Sequence, residues 1–177
     1  LRNLTLAALI AALYVSLTLA AAPISYGNIQ FRIAEALTLL PALTTAAVPG
    51  LFLGCFVANL IGGAGVVDLV FGSLATLAAA FLTRFIARKA RRRGPAAARR
   101  AAWLLPVPPV VVNALVVGTY LPLLIPEIRD MFRTLPVAIL ATIGSVALGQ
   151  AVVCYVLGLP LYHALKKSAL LDGESPP

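Results

Sequence analysis

Groups that usually do chemistry are scarce in this chain. It has one histidine, two cysteines and six acids among 177 residues. Cys55 and Cys154 lie far apart in apolar runs, with no C-x-x-C and no zinc spacing. Both read as small packing residues, and no metal is expected. His163, near the end of the last apolar run, reads as an interfacial or packing residue. The chain has no G-x-x-x-x-G-K-S/T, no H-E-x-x-H and no G-x-S-x-G. P-loop nucleotide binding, zincin chemistry and a nucleophile elbow are therefore excluded. No cofactor is expected, and the chain is not read as an enzyme.

What remains is apolar. Hydrophobic residues make up 61% of the chain, and the mean hydropathy is +0.98. A soluble domain of this size cannot bury that much apolar surface. The chain is therefore read as an all-α integral membrane protein, because long Ala- and Leu-rich runs without strict alternation favour helices over a barrel. The first run, Leu4–Ala22, is long enough to span. No A-x-A-like site followed by a soluble domain appears, so a signal peptide is not expected.

Six transmembrane helices are expected, near Asn3–Ala22, Phe31–Thr44, Ala47–Leu60, Asp68 to Arg84–Arg88, Ala102–Leu121 and Thr134–Leu165. They form one domain, 1–167, followed by a short polar tail, 168–177. Pro23, Gly27 and Asn28 break the first pair, and Gly62–Gly65 the second. Pro49 suits the first turn of its helix, and Pro106, Pro108 and Pro109 loosen the start of the fifth. The basic run within 88–101 reads as a solvated cytoplasmic loop, not a docking helix or a nucleic-acid patch. Phe31–Thr44 is short, ~21 Å at 1.5 Å per residue, against a core of ~30 Å. Positive-inside parity still requires it to cross. Arg2, the 88–101 run and Lys166–Lys167 then share the cytoplasmic side, and both termini with them.

That topology gives the polar residues their meaning. Tyr26, Gln30, Arg32, Glu35, Asn59 and Asp68 sit in an otherwise apolar stretch. A charge at membrane depth costs at least about 2.5–3.5 kcal/mol on insertion scales, so such residues usually handle a polar solute. Parity brings Tyr26–Glu35, Gly62–Asp68 and the 121–133 loop to one outer end, which suits an outward-opening pocket better than a channel. Local readings compete. Arg32 and Glu35 are spaced to pair across one helical turn. Asp68 is placed to cap the fourth helix, and Asn59 to bond between helices. Glu35 and Asp68 would serve a membrane-embedded enzyme only as a close acid pair. A purely structural packing subunit is the remaining alternative. In the first helix, Ala7, Ala8, Ala11 and Ala12 form overlapping small-xxx-small pairs, suited to internal packing or to a partner protein.

Several stretches carry a resemblance. Tyr26-Gly-Asn-Ile-Gln-Phe-Arg-Ile-Ala-Glu-Ala-Leu-Thr-Leu-Leu-Pro41, Pro49-Gly-Leu-Phe-Leu-Gly-Cys-Phe-Val-Ala-Asn59, Gly62-Gly-Ala-Gly-Val-Val-Asp68, Phe71-Gly-Ser-Leu-Ala75 and Val153-Cys-Tyr-Val-Leu-Gly-Leu-Pro160 resemble the QueT family. These are substrate-binding S components of energy-coupling factor (ECF) transporters in prokaryotic cell membranes. The resemblance implies a six-helix S-component fold that binds a queuosine precursor, a 7-deazaguanine, on its outer face. It implies a transmembrane T component docked on the alanine face of the first helix, and two cytosolic ATPases. A guanine-like base presents adjacent donors for a carboxylate and an O6 acceptor for an amide or guanidinium, and its face stacks on aromatic rings. Glu35 and Asp68 are the acidic candidates. Gln30, Asn59 and Asn113 are the amides, Arg32 a further contact, and Tyr26 or Phe31 the stacking residues. In the family an acid often precedes the stretch matching Val152-Val153-Cys154. Here that position is Gln150, which points to a neutral ligand or a different precursor. Another small heterocycle or vitamin is the alternative solute.

Overall fold

The computed structural model describes residues 1–22, 32–63 and 65–168. Every regular element among them is helical. In chain order these are α1 (Arg2–Ala20), a 3₁₀ helix (Ile33–Ala42), α2 (Ala47–Gly62), α3 (Ser73–Arg92), α4 (Pro95–Ala101), α5 (Val107–Leu124), α6 (Pro126–Asp130), α7 (Leu135–Val152) and α8 (Leu159–Ser168). A π-helical turn, Asp68–Gly72, leads into α3, and another, Val153–Gly158, joins α7 to α8. Four helical stretches are long and apolar enough to cross a membrane: Arg2–Ala20, Gly65–Arg92, Pro95–Leu124 and Leu135–Ser168. The two shorter apolar helices are Ile33–Ala42 and Ala47–Gly62.

The second expected helix is a 3₁₀ helix. Its ten residues cover ~20 Å at ~2.0 Å per residue, nearly the reach of the longer α-helix expected there. It is buried on every side from Ala34 to Ala42, as a mostly apolar helix inside a bundle must be, and its two polar residues, Glu35 and Thr38, are buried with it. Pro41 gives its last turn no N–H. Two arginines satisfy its final carbonyls: Arg84 Nη1 donates to the Pro41 oxygen at 3.2 Å, and Arg91 donates to the Ala42 oxygen. Cations at a helix C-terminus also suit the helix dipole.

Residue contacts give the direction of each pass. Ala7 of α1 lies against Gly50 of α2, and Ala11 and Tyr14 against Gly54, so α1 and α2 run parallel. The 3₁₀ helix runs back between them, from Glu35 beside Tyr14 to Ala42 beside Arg91. Thr83 of α3 bonds to the Leu105 carbonyl at 3.3 Å, which places the start of α5 at the basic end of α3. Ala87, Arg91, Tyr162 and Lys166 line one small cavity. Successive long elements among the described residues therefore alternate in direction, and the Arg84–Arg100 and Lys166 segments gather at one end.

Two boundaries differ from expectation. The fourth helix runs on to Arg92, and Pro95–Ala101 is helical, with Pro95 in its first turn. Alanine and arginine are strong helix formers, and their propensity organises the basic run that its charge suggested was a loop. Asp68 does not open its helix either, for the helical stretch begins at Gly65.

The α1–α2 contact depends on absent side chains. A Cβ at Gly54 would lie 2.8 Å from Tyr14 Cβ and 3.0 Å from the Ala11 carbonyl oxygen. Gly54→Leu should therefore push the helices apart and destabilise the protein by about 1–3 kcal/mol, the usual scale of overpacking. Unfolding in mixed SDS and dodecylmaltoside micelles measures it. An unchanged midpoint would mean that α1 and α2 do not meet here.

Candidate functional site

At the end away from the basic segments, six of the candidate residues converge. Arg32, Glu35, Asn59, Asp68, Asn113 and Gln150 are each no more than 5% exposed. Tyr26, Gln30 and Phe31 lie outside the described residues.

The cluster has two arms. In the first, Glu35 Oε1 accepts a 2.5 Å bond from the Tyr14 hydroxyl, and Oε2 accepts from Asn113 Nδ2 at 3.2 Å. An ionised carboxylate offers about four acceptor sites, so Glu35 retains capacity for further donors. In the second arm, Arg32 Nη2 meets Asp68 Oδ2 at 2.5 Å, and the Tyr120 hydroxyl donates to Asp68 Oδ1. Asn59 Nδ2 donates to the Asp68 backbone carbonyl at 2.9 Å. Cys55 ties the arm to its surroundings as a weak acceptor: Arg32 Nη1 is 3.9 Å from its Sγ and Thr76 Oγ1 3.5 Å. The second arm is built on an ion pair and the first on hydrogen bonds from neutral donors, which offset the cost of burying these polar groups.

Local structure explains the placement. Arg32 precedes the 3₁₀ helix with extended backbone, φ −93° and ψ 102°. The expected one-turn Arg32–Glu35 pair gives way to two separate ties, Arg32 to Asp68 and Glu35 to Tyr14 and Asn113. Asp68 is an ion-pair partner within a π-helical turn, not the helix cap that its position suggested. A π turn admits an extra residue and re-aims the side chains after it, and such turns are frequent at functional sites. Gly72 completes that turn. A Cβ there would lie 2.7 Å from Asp68 Oδ1, so a side chain would displace the carboxylate.

Arg32, Glu35, Asn113 and Gln150 line one cavity, closed off by Gly72, Thr76, Val117 and Val146. Asp68 and Asn59 are not part of this lining but lie beside Gly72, which is. The cavity measures about 10 Å³, room for about one water molecule. In this conformation the polar groups are bonded mainly to one another. Gln150 Oε1 accepts weakly from the Cys154 thiol at 3.8 Å, so the glutamine occupies the cavity wall as a neutral acceptor. Asn59 Oδ1 and Ser73 Oγ are buried without a hydrogen-bond partner among the described residues.

Tyr14, Tyr120, Thr76 and Cys55 belong to this cluster, and sequence reasoning missed them. A signal existed for the tyrosines, since a phenol within an apolar helix needs a partner for its hydroxyl. The alanines of α1 divide. Ala7 is buried and Ala11 half-buried against Gly50 and Gly54, whereas Ala8 and Ala12 are exposed.

A helical bundle with long apolar stretches that encloses paired charges and amides beside a small cavity has the character of a multi-pass membrane protein with a functional polar site. A family model described as QueT transporter matches residues 4–167, and the chain belongs to the QueT transporter family. That is a family of transporters, not of enzymes. Searches of curated proteins and of solved structures found no match.

Proposed function

We propose that the chain is the solute-capturing S component of an ECF importer. It crosses a prokaryotic cell membrane six times with both termini in the cytoplasm, and captures a 7-deazaguanine-type queuosine precursor from the outer side. A T component and two cytosolic ATPases drive release inward. The carrying observation is that Glu35, Arg32, Asn113 and Gln150 line one buried cavity at the end opposite the basic segments. A carboxylate acceptor, a guanidinium donor and two amides complement the donor and acceptor edge of a guanine-like base. The basic end fits the cytoplasmic side by the positive-inside rule. The alternating passes support six crossings, the 3₁₀ helix making the second.

A two-ring base is far larger than a 10 Å³ cavity, so capture requires Glu35 and Arg32 to exchange some of their present partners for solute. Separate partners for Glu35 and Asp68 argue against a proton-sharing acid pair. The amide Gln150, where the family often has an acid, favours a neutral base over one with an aminomethyl cation.

Titration of the purified protein with queuosine precursors tests the assignment, together with mass spectrometry of whatever co-purifies. Glu35→Gln keeps the shape but removes the charged acceptor. It should weaken binding by about 1.5–3 kcal/mol, the usual scale for a hydrogen bond to a charged group, or roughly ten- to hundredfold. Unchanged affinity in a folded variant would remove Glu35 from the solute site. No affinity for any 7-deazaguanine would overturn the substrate.

A further inference from the structure

A second and much larger concavity lies at the basic end. It measures about 920 Å³ and runs between the start of α2 and the basic half of α3. Its floor is apolar: Val48, Pro49, Phe81 and Phe85. Its rim is cationic: Arg88, Lys89, Arg92 and Arg93, with Arg84 beside them and no acid among the lining residues.

The order of these residues along α3 identifies the chemistry. Phe81, Phe85 and Lys89 follow at i, i+4 and i+8, and Arg84, Arg88 and Arg92 lie on the same face. The face is aromatic toward the bundle centre and cationic at its end, over ~16 Å from Phe81 to Arg92. Phe81 is 58% and Phe85 62% exposed. Lys89 Nζ stands 5.8 Å from the centre of the Phe85 ring, so the stripe changes from apolar to cationic within one turn. A water-soluble anion would use the cations but leave the aromatic floor uncovered. A zwitterionic lipid would cover the floor but not answer an acid-free rim of positive charge. A phospholipid with a net negative head group matches both, its acyl chains along the phenylalanines and its phosphate at the arginines. Basic pockets between membrane helices on the cytoplasmic side are where anionic head groups bind.

We propose that this groove holds one anionic phospholipid of the leaflet at the basic end. The inference does not depend on which solute is carried. The test is native mass spectrometry of the delipidated full-length protein in detergent, with phosphatidylglycerol or phosphatidylcholine added. One phosphatidylglycerol should be retained at least tenfold more strongly than phosphatidylcholine. Arg88→Gln with Arg92→Gln should abolish that preference. Arg99→Gln with Arg100→Gln removes the same charge from α4, outside the groove, and should change retention less than twofold. Millimolar glycerol 1-phosphate should not displace the lipid. Equal retention of the two lipids would overturn the proposal, as would equal losses in the two double variants. Displacement by glycerol 1-phosphate would make this a site for a soluble anion and overturn the lipid assignment. The lipid comparison and the competition use only the unmodified protein, so they decide the matter even if a variant fails to fold.

Discussion

Arg32→Met should lower the unfolding free energy by about 3–5 kcal/mol, the usual result of removing one partner from a buried ion pair. The guanidinium and the Asp68 carboxylate meet at 2.5 Å with both side chains 5% exposed. Without Arg32, Asp68 would keep Tyr120 as a donor but would face an apolar bundle as an uncompensated charge. The double change Arg32→Met with Asp68→Asn removes both charges and should recover most of the loss, because the stranded carboxylate dominates the penalty. Equilibrium unfolding in mixed SDS and dodecylmaltoside micelles reads both. If the single variant unfolds at the same SDS fraction as the unmodified protein, the pair contributes nothing in the folded state.

Loss of uptake with retained solute binding is the expected outcome for Ala8→Trp combined with Ala12→Trp. Both alanines are exposed on α1, one turn apart, where small residues let a partner helix approach closely. Two indoles there would hold a T component away without reaching the Glu35 cluster, which α1 meets through Tyr14. Uptake of labelled precursor should fall to background and the T component should no longer co-purify, while affinity stays within about twofold. Uptake at the unmodified rate would move the docking face elsewhere. The same change at Ala7 and Ala11 tests something different. Those residues seat against Gly50 and Gly54, so the variant should lose stability along with transport. Small-xxx-small spacing marks all four alanines alike, and only the position of α2 separates them.

The candidate site was more legible than the boundaries of the fold. Arg32, Glu35, Asn59 and Asp68 stand out because an apolar stretch tolerates charges and amides only when they are paired, and the structure pairs all four. Which of them pair was not legible. Spacing suggested Arg32 with Glu35, but the extended backbone at Arg32 and the π-helical turn at Asp68 set the outcome. Neither leaves a mark in hydrophobic periodicity. Tyr14 and Tyr120 were hidden for another reason, since their rings fit an apolar helix and only their hydroxyls report a polar neighbour. The basic run misled through its charge, which says where a segment lies relative to the membrane and nothing about its helix propensity.

The Arg32–Asp68 pair also bears on membrane voltage. One elementary charge carried across 100 mV involves about 2.3 kcal/mol of electrical work. A cation and an anion held 2.5 Å apart sum to zero. Any rearrangement that moves them together shifts a dipole and does almost no work against the field. Displacing Arg32 alone would expose that step to the full potential. Solute capture that leaves the pair joined therefore moves no net charge through these two residues, and any dependence of its rate on vesicle potential would have to arise elsewhere in the molecule.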